Sequence, residues 1–391
     1  MTFMASASPL VYLDNNATTP LDPGVVEELL PFLREHHGNA SSVHRFGQRA
    51  RSAVEKARER VAELVGVAPR EVVFTCGGTE ADNTAVAGVA RSRRSRGRHI
   101  VTTQIEHPAI LKACEELEKE GFEVTYVGVD KTGRVRTDEL AGALRDDTIL
   151  VSVMLVNNET GTIQPMEEIW RLTRAREIVL HSDAVQAAGK IPLDFRERGL
   201  DLMSLSSHKF HGPKGVGALI VRDGIQFEPI MLGGGQERGR RGGTENVPGI
   251  VGMGRACLEA ANHLAEMETR VAALRDRLEA GILELSPGAV VNGRGARRAP
   301  HVTNISFPGC DGEAILVALD FHGIAVSTGA ACHSGSVSPS HVLTAMGLAK
   351  EVVQGAIRFS LSRMTTPEEI EATLRTLPQV LERMRQSSPL S

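Results

Sequence analysis

Several short stretches carry side chains that could do chemistry together. In SSHKFHGPKG (206–215), Lys209 comes directly after the apolar run LMSLS, at the carboxyl end of a buried strand, where ligands of open α/β sheets bind. A partly desolvated ammonium at such a place gives up its proton readily and can form a Schiff base; the plainer alternative is a solvated loop lysine. HSDAVQ (181–186) ends a second apolar run with Asp183, a carboxylate able either to cap a helix or to pair with a pyridinium nitrogen and keep that ring an electron sink. Gly77, Gly78 and Thr79 separate the run EVVFT from helical sequence, and free amides with a hydroxyl at a helix start make a phosphate pocket, unless the glycines only form a tight turn. This stretch has neither GxGxxG nor GxxxxGK[ST], which disfavours a dinucleotide or P-loop site. His107 in IEHPA could lie on the face of a ring. Cys332 sits in STGAACHSGSVSPS, which has few bulky groups to pack and therefore reads as a loop that leaves the thiol available, with His333 beside it to influence the thiolate.

Positioning these groups requires strand ends along one sheet edge, and the sequence supplies them. EVVFT (71–75), HIVTT (99–103), FEVTYVGV (122–129), TILVSVMLV (148–156), EIVLHSDA (177–184) and LMSLSS (202–207) are short and rich in β-branched residues, with helical spacing between most of them. Such alternation predicts an α/β fold around a mostly parallel sheet buried on both faces. Val54, Ala57, Val61, Leu64 and Val65 mark an amphipathic helix ending at Gly66. A second long helical stretch runs from about Val247 to Leu285 with a break. A second unit begins along it, built from NISF (304–307), a helix after Asp311, IAVST (324–328), IRFSLS (357–362) and a final helix capped by Thr366 with Pro367 at its first position.

Bulk properties narrow the function classes. The 391 residues are 41% hydrophobic and 24% charged, with a net charge of −4, which suits a globular protein and disfavours nucleic-acid binding by bulk charge. No window is long and apolar enough to span a membrane, and the start lacks a signal-peptide pattern, so a soluble, cytoplasmic protein is expected. Five cysteines, none in a CxxC pair, argue against a disulfide framework or a zinc site. Cys76, Cys114, Cys257 and Cys310 are expected to behave as small buried hydrophobes. His36, His37, His44, His211 and His341 show no metal-ligand spacing and read as structural or solvated. Glu27 and Glu28, like Glu115 and Glu116, read as solvated helix faces.

The strings YLDNNATTP (12–20), GNASSVHRFG, FTCGGTEADN, IEHPA, VNNETG (156–161), HSDAVQ, SSHKFHGPKG, RRGGTENV (240–247), STGAACHSG (327–335) and IRFSLSR resemble, in order and over nearly the whole chain, the NifS/IscS-type cysteine desulfurases. These are pyridoxal 5'-phosphate enzymes of the class V aminotransferase, fold type I group. The resemblance implies a large domain over 15–255 with a mostly parallel, seven-stranded sheet, and a smaller α+β domain from 1–14 and 256–391 carrying the catalytic cysteine. It implies that Lys209 holds the cofactor covalently and moves the substrate's α-proton, that Asp183 pairs with the pyridine nitrogen and Gln186 with the phenolic oxygen, and that His107 stacks on the ring and helps in proton transfer. Gly78, Thr79, Ser206, Ser207 and His208 would hold the phosphate, joined by Thr244 from the second subunit of a homodimer. Asn158 would touch cofactor and substrate, and Arg358 would grip the substrate carboxylate through a two-toothed pair. Cys332 would take the sulfur of L-cysteine as a persulfide, leaving L-alanine, and pass it to an acceptor such as an iron–sulfur scaffold or a thiolation enzyme; no metal is implied. Two departures stand out: His333 where the bacterial iron–sulfur enzymes commonly have Thr, and Ala40 where GNPS is usual. The string ACHS is similar to selenocysteine lyases, which keeps that activity open. Also open are an aminotransferase of the same fold, which has no need of a loop nucleophile, and a catalytically silent assembly subunit, against which the presence of Lys209, Asp183 and Cys332 argues.

Overall fold

A computed structural model of the chain describes residues 10–328 and 339–387. Its largest feature is a seven-stranded sheet in the order Val72–Thr75, Gly217–Val221, Leu202–Ser206, Val179–Asp183, Thr148–Ser152, His99–Thr103, Glu123–Val127. The last five are parallel neighbours, whereas Gly217–Val221 runs antiparallel to both strands beside it. Six expected strands form, several trimmed at their ends. The strand Gly217–Val221 escaped the sequence reading because GALIV follows a Pro/Gly-rich turn and connects to its neighbour without the helix that marks most of the other connections. Because that one strand reverses direction, Val72–Thr75 again points the same way as Leu202–Ser206, and the carboxyl ends of all the other six strands meet along one edge of the sheet.

Every residue of each strand except the edge strand Glu123–Val127 is buried, which is why these runs are apolar without alternation. The cover on one face includes the helix Arg45–Val65, whose buried stripe runs through Val54, Ala57, Val61 and Val65 and which ends on Gly66 at φ 71°, the left-handed conformation glycine adopts without strain. It packs on Val247–Asn262 so closely that a Cβ on Gly254 would lie 2.6 Å from the Cα of Ala57. The expected break in the second long helical stretch falls at His263.

A separate apolar core gathers Val11 and Leu13 with side chains from Met267 onward, including Leu278, Phe307, Ile315, Phe359 and Leu377. It is built on an antiparallel sheet, Ala356–Ser360, Val302–Ser306, Val290–Asn292, and on a parallel pairing of Val11–Tyr12 with Ile324–Ala325. Two helices here start as the sequence suggests. Asp311 accepts the N–H groups of Glu313 and Ala314, and Thr366 accepts the N–H of Glu369 while Glu369 accepts that of Thr366, a reciprocal capping box.

Candidate active site

The carboxyl-end edge of the large sheet opens into a cleft of about 760 Å³. Lys209, one turn past Leu202–Ser206, sends its Nζ to the carbonyls of Asn16 and Ala17 at 2.6 and 2.9 Å. Burial, with the Arg358 charge adding to it, depresses its pKa to about 8. Asp183, the last residue of Val179–Asp183, is 7% exposed and accepts the Val185 N–H at 2.9 Å. Burial raises its pKa, opposed by the fields of His107 and Lys209.

His107 precedes the helix Pro108–Lys119, and its Nδ1 accepts the Ala109 N–H at 3.1 Å. With Nδ1 used as acceptor, the proton of the neutral ring sits on Nε2, and burial keeps the ring neutral by lowering its pKa. The helical run beginning at Gly78 has its first amides unpaired within the helix, and Gly78, Thr79, Ser206 and His208 all line the cleft at that end. A Cβ on Gly78 would lie 2.8 Å from Val185 Cγ2, so bare backbone is required there.

Arg358 projects from Ala356–Ser360 and lines the cleft at 5% exposure. Its Nη2 donates to Asp14 Oδ1 at 2.8 Å and its Nη1 to the Asn158 carbonyl at 3.0 Å, while the buried Nε has no partner. The guanidinium is thus fixed in plane where it lines the cleft. Gln186 is held at both ends, donating to the Asn16 carbonyl at 2.9 Å and accepting from Lys190 at 2.7 Å.

The structure therefore brings Gly78, Thr79, His107, Asn158, Asp183, Gln186, Ser206, His208, Lys209 and Arg358 to one cleft. It does not bring Ser207 there. That side chain is fully buried and turned against Gly212, where a Cβ would lie 1.9 Å from its hydroxyl. Thr244 is exposed on a loop away from the cleft of its own chain. Cys332 and His333 lie outside the described residues, but Ser327 and Pro339, on either side of that segment, both line the cleft.

One expectation about the cysteines is corrected. Cys76 is exposed, because it falls just past the end of Val72–Thr75, and Cys114, Cys257 and Cys310 are buried as expected. His341, expected to be structural or solvated, is exposed and meets the Glu106 carbonyl at 2.9 Å, and it does so at the lining of the cleft. Asn16, Asp82, Glu159 and Ser340 carry no expected role either, although all four lie inside the strings quoted above. Asn16 collects Lys209 and Gln186 on its carbonyl, and Glu159 accepts the Ser340 hydroxyl at 2.5 Å. Their roles arise from contacts between residues far apart in the chain, 170 to 193 positions in the bonds just given, which local spacing does not show.

A parallel-rich sheet with a lysine, an aspartate and a helix-start anion pocket at its carboxyl edge defines a pyridoxal-phosphate transferase of fold type I. The Aminotransferase class-V profile matches residues 11–373, and the chain belongs to that family, within it to the NifS/IscS-type cysteine desulfurases. The protein named cysteine desulfurase IscS from Methanosarcina thermophila is 46% identical over 388 residues, covering 99% of this chain and 96% of its own. A solved NifS-like protein superposes with a TM-score of 0.90 at 43% identity, covering 96% of this chain and 100% of its own. SspA, solved in complex with cysteine, gives 0.80 at 35% identity over 91% of this chain and 100% of its own.

Proposed function

We propose that the protein is a cysteine desulfurase that converts L-cysteine to L-alanine, with sulfur held on Cys332 as a persulfide and passed to an acceptor protein. The observation that carries this reading is the convergence of Lys209, Asp183 and Arg358 on one cleft whose rim carries both flanks of the Cys332 segment. The donor set fits pyridoxal 5'-phosphate: a glycine-lined helix start with Thr79, Ser206 and His208 for the phosphate, Asp183 for the ring nitrogen, and an amine at Lys209 for the aldehyde. The bound cofactor supplies an electron sink for the charge left at the substrate α-carbon.

The chain's own groups do the rest. Arg358, held by Asp14 and the Asn158 carbonyl where it lines the cleft, supplies the fixed positive charge for the substrate carboxylate and so aims the α-hydrogen. Lys209, whose depressed pKa leaves a usable neutral fraction near pH 7, accepts the α-proton at Nζ. His107 lines the cleft with Nδ1 occupied by the Ala109 N–H, so the hydrogen-bond donor it would offer to the bound cofactor or substrate is Nε2–H. The Cys332 thiolate attacks the substrate sulfur: a sulfur–sulfur bond forms, the carbon–sulfur bond breaks, its electron pair stays with the β-carbon, and that carbon takes up a proton to give alanine.

The test incubates purified protein with cysteine and a thiol reductant and assays alanine and sulfide together. Equal amounts of both are expected. Cys332→Ser should still bind cofactor and shift its absorbance on adding cysteine, yet form almost no sulfide. Retention of most of the activity by Cys332→Ser would overturn the persulfide route. An acceptor of the iron–sulfur scaffold or thiolation type, and a homodimer in which Thr244 completes the partner's phosphate site, belong to the same proposal.

A further inference from the structure

Asp82 is a polar side chain that the mechanism above leaves unused at its own cleft. It lies one helical turn past Gly78, faces the cleft, and is 2% exposed. Its Oδ1 is buried without a hydrogen-bond partner, which is costly for a charged carboxylate and calls for an explanation.

The surroundings of Asp82 differ from those of Asp183 in the direction that separates two neighbouring acids. Asp183 accepts a backbone N–H and faces the positive or polar groups His107 and Lys209, all of which favour its charged form. Asp82 faces the negative field of Asp183 and has no backbone donor for its Oδ1, and the nearby Glu106 is a fully buried carboxyl that takes the Thr103 hydroxyl and the Met154 amide as its donors. Its remaining neighbours are the Ser204 hydroxyl and the His181 ring, whose Nε2 is 3.9 Å from Asp82 Oδ1. That ring is clamped between Ser152 and Ser204 hydroxyls at 2.9 and 3.0 Å with no exposure, and burial holds it neutral, so it brings no compensating charge. Two buried acids on the floor of one cleft, coupled through a low-dielectric interior, do not both ionise readily, and the asymmetry of their donors decides which one keeps the proton.

We propose that Asp82 is a neutral positioning residue that keeps its own proton and so leaves Asp183 as the single carboxylate presented to the cleft. The proposal rests on the assignment of Asp183 to the ring nitrogen, and it adds a residue that sets how strongly Asp183 can hold a proton there. No bond to substrate is required of Asp82; it acts through its neighbour.

The test reads protonation directly, on the full-length protein before any cofactor is added, so it succeeds or fails independently of the desulfurase reading. Infrared spectra of aspartate-labelled protein at neutral pH are expected to show the carbonyl stretch of a neutral carboxylic acid, and Asp82→Asn should remove it. In the cofactor-loaded protein, Asp82→Asn keeps a neutral side chain of the same shape and should leave kcat and KM within about threefold of the parent, whereas Asp183→Asn should lower kcat by orders of magnitude. Asp82→Ala, if it folds, should move the pH midpoint of the bound cofactor's absorbance; if it does not fold, the infrared band and the Asn variant decide. The proposal is overturned if no neutral-acid band depends on Asp82, or if Asp82→Asn is as damaging as Asp183→Asn, because Asp82 would then be a charged partner of a protonated His181.

Discussion

At the scale of single residues, the site works by placing ionisable groups where their ordinary charges are unfavourable. Lys209 is the clearest case, since burial and Arg358 both oppose its charge and bring its pKa to about 8. Covalent capture of pyridoxal phosphate by the ligand-free protein should therefore quicken as pH rises and level off above about 8, and stopped-flow absorbance would show it. A capture rate still climbing tenfold per unit towards pH 10 would mean an ordinary lysine. Glu106 is pushed up to about 8 by burial, so between its ordinary 4.5 and about 8 the folded protein holds a proton that the unfolded chain has lost. The sign follows: that contribution to stability is complete at the acid end of the window and is lost as pH rises through it. Against Glu106→Gln, the parent should lose stability with a slope of up to about 1.4 kcal/mol per pH unit in that window, measured by urea unfolding. His181, His208 and His211, depressed to about 3, 4 and 4 by burial, act with the opposite sign as pH falls below their ordinary 6.5, but equally in both proteins, so the difference isolates Glu106.

At the scale of elements, the strands deliver side chains and the helices hold the strands in place. Thr103 and Ser152 end neighbouring strands and Ser182 and Ser204 lie near the ends of the next two, so the residues just after those strand ends share one rim. The helix pair Arg45–Val65 and Val247–Asn262 secures one face of this sheet through the close approach at Gly254. Alanine is the better helix former by about 1 kcal/mol, yet its methyl would overlap Ala57, an overpacking cost of about 1–3 kcal/mol, so the clash should win. Gly254→Ala should lower the unfolding midpoint in urea without altering cofactor absorbance. A more stable variant would show that the helices slide apart freely.

At the scale of the whole molecule, the N-terminal residues tie the two apolar cores to one cleft. Val11 and Leu13 belong to the smaller core, Asp14 holds Arg358, and Asn16 holds Lys209 and Gln186 of the larger sheet. Thr244 points out of this arrangement, on a loop where Glu237 and Arg238 occupy left-handed backbone and Glu237 is locked to Arg58 by two bonds of 2.8 and 2.7 Å. If Thr244 serves a second copy's site, inactive Lys209→Ala subunits mixed and reassembled with Thr244→Ala subunits should regain intact sites. Random two-fold pairing restores about one site in four. No gain above the Thr244→Ala protein alone would place Thr244 in its own chain's site or in none.

What the sequence determined by itself was the local chemistry and the alternation. Lys209, Asp183, His107 and the Gly78–Thr79 turn could be picked out because each sits at the junction of an apolar strand with a polar segment, and strand ends are visible in a string of residues. The caps at Asp311 and Thr366 were legible for the same reason, since a cap and the amides it accepts lie within a few positions. Tertiary structure alone decided the antiparallel reversal at Gly217–Val221, the outward turn of Cys76, the inward turn of Ser207, and the entry of His341 into the cleft. It alone showed that Arg358 is held by Asp14, 344 positions away, and that Asp82 faces Asp183 without a donor for its buried oxygen. The physical reason is that desolvation and charge coupling depend on which atoms surround a group in space, and that set is fixed only when the chain has closed on itself.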